Sequence, residues 1–156
     1  MNPKDQTIMQ VNSNKIFIFD KIRVFFKHTD SYGFLHPYNF LEWTSYVREA
    51  YFSEMCPNFR EITNSPIKMM TAKITSTVYG DSVFGDDIEA RFTTSRIKKV
   101  SFDVIIHFYN KRLAEIVCQT QHTLVFVDSE SQKFTAIPCS LRQVIVYYEN
   151  TGKFHD

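Results

Sequence analysis

The sequence predicts an α+β domain in which one long central helix is wrapped by an antiparallel sheet of five to six strands. Three observations carry this expectation. One stretch, residues 37–55, places apolar side chains at helical spacing. Nearly everything after it alternates apolar with polar residues or is β-branched, and polar turns punctuate it. One helix cannot cover both faces of such a sheet, so the economical packing curls the sheet around it, leaving the outer face exposed or paired with a second subunit.

At 156 residues the chain holds one domain. Residues 1–14 are polar and read as an N-terminal arm, and residues 15–156 form the domain. From Lys15 to Lys27, Ile16, Ile18, Ile22 and Val24 share one parity while Lys21, Arg23 and Lys27 take the other, which predicts a long half-exposed strand. The breaker His28-Thr29-Asp30-Ser31-Tyr32-Gly33 follows. In the helix, Pro37–Met55, the stripe is Phe40, Trp43, Val47, Ala50 and Tyr51, with Glu42, Arg48 and Glu49 off it. Pro37 suits the first helical position, where no intrahelical N–H is lost, and Pro57-Asn58 end the helix.

Met69–Tyr79 is Thr-rich and strand-like, and Gly80-Asp81 and Gly85-Asp86 mark turns or bulges. Asp87–Ser95 alternates. Val100–Tyr109 and Leu113–Val127 are two long strands joined by Asn110-Lys111-Arg112. Asp128–Lys133 is a polar turn and Phe134–Ile137 a short strand. Pro138–Tyr148 is an amphipathic element of either type.

The charge balance, 18 Lys+Arg against 17 Asp+Glu, argues against a nucleic-acid binder, which needs a basic excess or stripe. A hydrophobic fraction of 44% with 22% charged residues excludes a disordered chain. Aromatics at 15% point to a packed β-rich core or an apolar cleft. Cys56, Cys118 and Cys139 are odd in number and widely spaced with no CxxC, so neither a disulfide framework nor a structural zinc site is expected. His28 and His36 stand eight apart without a third ligand in register, and no metal or other cofactor is expected. No apolar run reaches signal-peptide or membrane-span length, so a soluble cytosolic chain is expected, with no membrane partner. The uncovered sheet edge and apolar area predict a homodimer or homotetramer.

The segment from Phe25 to Trp43 resembles the signature of hotdog-fold thioesterases of the 4-hydroxybenzoyl-CoA thioesterase type. The matching residues are Asp30 at the end of the first strand, Gly33 three residues later, and Asn39-Phe40-Leu41 opening the helix. The likeness continues through Tyr79-Gly80-Asp81 to Ile88, and to Ile137-Pro138 followed by Leu141. Arg48-Glu49-Ala50-Tyr51-Phe52 through Cys56-Pro57 is similar to the helix end of the enediyne-type polyketide thioesterases.

The resemblance implies hydrolysis of an acyl or polyketide thioester carried on coenzyme A or an acyl-carrier protein. It gives Asp30 the role of nucleophile or general base, with a turn aspartate bonding nearby amides as the structural alternative. Enediyne-type members often carry Asn at this position, so Asp30 agrees with the wider family instead. The family's oxyanion donor, a backbone N–H seven residues after the Asp, falls on Pro37, which has none. Tyr38 or Asn39 then supplies the N–H from the free first turn.

Arg48 matches an Arg on the central helix of these relatives; it binds the acyl carbonyl, holds the Asp30 loop, or makes a structural ion pair. Glu49 is a second carboxylate candidate, or a solvated residue. His36 orients a water or bonds the thioester, or caps the helix. Phe34, Trp43 and the other aromatics near the helix line an acyl channel or fill the core. Arg96 and Lys98, with Lys99, form a basic cluster for the phosphate of CoA or phosphopantetheine, or for the acidic surface of a carrier protein; a charged hairpin end is the alternative. Pro37 favours a rival reading as a non-catalytic acyl-binding module, and a hotdog dehydratase is the rival enzyme.

Overall fold

Phe17 and Phe19, not Ile16 and Ile18, face the interior of the first strand. The computed structural model describes residues 16–147. The strand β1 (Phe17–Arg23) slips register against its neighbour between Phe19 and Ile22. That irregularity moves the buried parity from odd to even, so Ile22 and Val24 are also buried. The alternation expected from Ile16 onward is therefore correct only after the bulge.

A 3-10 turn (Phe26–His28) leads to the helix α1 (Tyr38–Met55), and α2 (Phe59–Asn64) follows almost at once. The strands β2 (Ile67–Val78), β3 (Asp87–Ser95), β4 (Ser101–Asn110), β5 (Glu115–Asp128) and β6 (Lys133–Phe134) come next, and α3 (Cys139–Tyr147) closes the order. The sheet runs β1-β3-β4-β5-β2, with β6 paired to β5 and every pairing antiparallel.

The central helix lies against the sheet as expected, through Phe40, Trp43, Val47, Tyr51 and Phe52. These meet the inward side chains of the middle strands: the Tyr51 and Phe92 rings stack at 4.0 Å, and Phe40 lies 5.1 Å from Phe108. Each aromatic buried here contributes about 1.5–3 kcal/mol. A fully buried polar contact crosses this layer, between the hydroxyls of Thr44 and Thr120 at 2.7 Å.

Two more helices join the one expected. Pro57-Asn58 do end α1, but Phe59 restarts helical structure because its ring stacks on Phe52 at 5.0 Å. The ambiguous C-terminal element is helical, with Leu141 and Ile145, four apart, buried. The last strand stops at Phe134, because Ile137 N–H turns away to the Lys99 carbonyl. The expected arm, residues 1–14, lies outside the described residues.

At the other margin, β2 is an edge strand that α1 does not cover. Met70, Ile74 and Val78 are 53%, 51% and 43% exposed. The loop that follows β2 meets the segment before α1 through Ser82 and Val83, and the candidate site forms there.

Candidate active site

The loop before α1 is a small hairpin. Thr29 bridges Leu35, Asp30 N–H donates to the Phe34 carbonyl, and His36 N–H donates to the His28 carbonyl. Gly33 closes its tip at φ +83°, a backbone that side-chain-bearing residues rarely adopt, with its N–H on the Asp30 carbonyl at 3.1 Å. The Asp30 carboxylate lies within this turn, where Oδ1 accepts from Tyr32 N–H at 2.8 Å and Phe34 N–H at 3.1 Å. Its Oδ2 takes no hydrogen bond among the described residues, and the side chain is exposed. The turn-aspartate geometry and an available carboxylate oxygen thus coexist in one residue.

Asn39 is buried, and its amide Nδ2 donates to both the His28 and His36 carbonyls, at 3.0 and 2.8 Å. It clamps the hairpin to the helix. Its backbone N–H donates to the His36 carbonyl, and Phe40 N–H donates to Pro37. Pro37 stands at the N-cap without an N–H. Tyr38 is therefore the residue of this turn whose N–H meets no acceptor among the described residues. His36 is exposed, with its ring 4.5 Å from that of Tyr38.

A buried network holds the hairpin from below. Leu35 N–H donates to the Ser82 carbonyl, and Phe34, itself partly exposed, bridges Val83. The loop carrying Ser82 and Val83 is fixed by Asp86, which accepts from Val83 N–H, from Asn110 Nδ2 and twice from Arg112. Asn110 Nδ2 also reaches Ser82 Oγ at 2.9 Å. Burial raises the Asp86 pKa, but these bonds, led by Arg112, outweigh it and hold the carboxyl at about 2. The sequence reading missed Asp86, Asn110 and Arg112; the signal was a Gly-Asp turn facing an Asn-Lys-Arg turn across two strands.

Arg48 does not join the hairpin. Its Nη1 donates to Thr71 Oγ1 at 2.9 Å and lies 3.5 Å from His122 Nδ1, roughly 15 Å along the helix from Tyr38. Burial, and then Arg48, push His122 down to about 4, so its imidazole is neutral. Glu49 is exposed and acts on Arg48 only through its charge. Trp43 is buried, its ring edge-on to those of Phe40 and His28.

Arg96 and Lys98 also lie apart. They follow the C-terminal end of β3, whose nine residues span roughly 30 Å and whose other end adjoins the Asp86 loop. Arg96 is ion-paired with Asp103. A different basic group lies beside the hairpin: Lys21, Arg23 and Lys27 line a cleft of about 300 Å³ with His28, Glu42 and Trp43. The shared parity of Lys21, Arg23 and Lys27 was legible in the sequence; their place beside α1 was not. Burial holds the thiols of Cys56 and Cys118 up at about 12 and 11, which removes them as nucleophiles.

The family model of the thioesterase-like superfamily matches residues 15–145, and the chain belongs to this superfamily. Among curated proteins, none matches. A Staphylococcus aureus protein solved in complex with CoA is similar at 13% identity over 90% of each chain, with a TM-score of 0.79. The dynemicin thioesterase shares 15% identity over 90% of this chain and 100% of its own, TM-score 0.76. The 12:0-ACP thioesterase of Umbellularia californica shares 9% over 89% of this chain and 55% of its own, TM-score 0.77. The architecture is the hotdog fold that the resemblance implies.

Proposed function

We propose that the chain hydrolyses an acyl thioester carried on coenzyme A or an acyl-carrier protein, giving a free acid and a free thiol. Two observations carry this reading: the Asp30 carboxylate sits in the hairpin that leads into α1 with Oδ2 open, and the Tyr38 N–H is open at the start of that helix, two residues past the His28–His36 link. Asp30 takes a proton from the attacking water or adds to the carbonyl itself. The carbonyl oxygen gains charge as its carbon becomes tetrahedral, and Tyr38 N–H at the positive end of the helix stabilises it. In this reading Tyr38 fills the role that Pro37 cannot, Asn39 holds the turn, and His36 and Phe34 flank the reacting group.

The cleft of Lys21, Arg23 and Lys27 takes the phosphate of the carrier arm, since it adjoins the hairpin whereas Arg96 and Lys98 do not. The CoA-bound and carrier-protein relatives support both kinds of carrier, and the dynemicin enzyme supports a polyketide acyl group. The working form is a homo-oligomer paired through the β2 edge. Three unpaired cysteines accord with a reducing, cytosolic setting. No described helix is long and apolar enough to cross a membrane.

The test is thiol release from a panel of acyl-CoA and acyl-carrier-protein thioesters. Release above the uncatalysed rate supports hydrolysis. Binding of the panel with no thiol released, even at high enzyme, overturns it in favour of an acyl-binding module; an enoyl product without thiol would indicate a dehydratase.

A further inference from the structure

Four arginines each meet a carboxylate: Arg23 with Asp87, Arg91 with Glu89, Arg96 with Asp103, and Arg112 with Asp86. Arg48, set into the flank of α1, meets none among the described residues. Its partners are the Thr71 hydroxyl and the neutral His122 ring, and both bonds use Nη1. Nε and Nη2 have no acceptor among the described residues. A guanidinium withdrawn from water is costly unless an anion or several acceptors meet it.

The surroundings give this cation a direction. The β2–β5 register pairs Ile74 with His122, Ser76 with Thr120 and Val78 with Cys118, so these β2 side chains share the helix-side face. Ile74 and Val78 remain half-exposed, whereas His122, Thr120 and Cys118 are buried under α1. A strip with Ile74 and Val78 on either side of Ser76 therefore runs along β2 beside α1. It starts at the end of β2 from which the Ser82–Val83 loop runs to the Asp30 hairpin, and it ends at Arg48, roughly 15 Å along the helix from Tyr38. Methylene groups fit its length, and a carboxylate fits its end, where a planar guanidinium offers parallel donors.

We infer that Arg48, steadied by Thr71 and His122, is a distal subsite for the free carboxylate of an ω-carboxyacyl thioester. The assignment rests on the hydrolytic reading above for the position of the thioester, and it adds the class of acyl chain. Arg48 is then a specificity-determining residue and takes no part in the chemical step.

The test compares decanoyl-CoA with sebacoyl-CoA, which match in chain length and differ in the terminal carboxylate. Wild type is expected to favour sebacoyl-CoA in kcat/KM by about tenfold or more. Arg48→Gln should remove the preference, chiefly through the KM for sebacoyl-CoA, and Arg48→Lys should keep part of it. Calorimetric binding of free sebacate and decanoate runs in parallel and needs no turnover.

Sebacate binding that exceeds decanoate binding and depends on Arg48 upholds the subsite, even if neither thioester is hydrolysed; that result would sink the hydrolytic reading alone. Hydrolysis of both thioesters at equal efficiency, with Arg48→Gln lowering both by one factor, overturns the subsite and leaves the hydrolase. Equal binding of the two acids to wild type also overturns it. If Arg48→Gln fails to fold, the Arg48→Lys ratio decides: an unchanged ratio of about one in both proteins overturns the assignment.

Discussion

Arg112 grips Asp86 at two points, with Nε 2.6 Å from Oδ1 and Nη2 3.0 Å from Oδ2. The carboxylate is buried while the guanidinium stays half in water, so the pair joins the β4–β5 turn to the loop under the Asp30 hairpin.

Asp86→Asn should destabilise the fold by roughly 2 kcal/mol at neutral pH, since it strips a buried charge from its guanidinium. The folded pKa lies below the unfolded one. Its stabilisation is therefore complete above the ordinary value of 3.8 and is lost as the pH falls towards 2. Urea melts of both proteins over that range should converge at the acid end; a constant gap would contradict the linkage.

Asp30→Asn should lower kcat for a hydrolysed thioester at least about a hundredfold while changing KM little. Unchanged turnover would refute the carboxylate mechanism. Pro37→Ala restores an N–H at the helix start; if Tyr38 N–H is the oxyanion donor, as proposed, an unaltered rate is expected.

Thr44 Oγ1 donates to the Phe40 carbonyl, so the hydrogen shared with Thr120 belongs to Thr120. Thr44→Val leaves that hydroxyl buried without an acceptor and should cost about 1–3 kcal/mol. The Thr44→Val, Thr120→Val double variant should recover part of the loss. Thermal melts of the three variants would show it as a non-additive cycle.

Sedimentation at micromolar concentration should show an oligomer, and Met70→Lys with Ile74→Lys should shift it to the 18.4 kDa monomer. Charges on an edge strand oppose pairing. A wild-type monomer would refute pairing through β2.

The helix and the long strands were legible because their periodicities persist over many residues. The parity of β1 was not, since a bulge at Phe19/Ile22 has no residue signature in Phe-Asp-Lys-Ile. Asp30, Gly33 and Asn39 were singled out by the family resemblance, and the fold makes Asn39 a clamp through its side chain. The Arg48–Thr71–His122 grouping and the Asp86–Arg112 pair join residues 23 to 74 positions apart, and only strand register brings them together.

The Asn39 clamp has a consequence for how this end of the molecule opens. One carboxamide ties the carbonyls of His28 and His36 to the helix, and those positions are also cross-linked through His36 N–H. The chain between them is a closed ring whose links cannot be broken one at a time without exposing a buried polar group. Deuterium uptake at the amides of Asp30, Leu35, His36 and Asn39 should then proceed at a common rate, as a single latch releasing, well before the strands beneath begin to exchange.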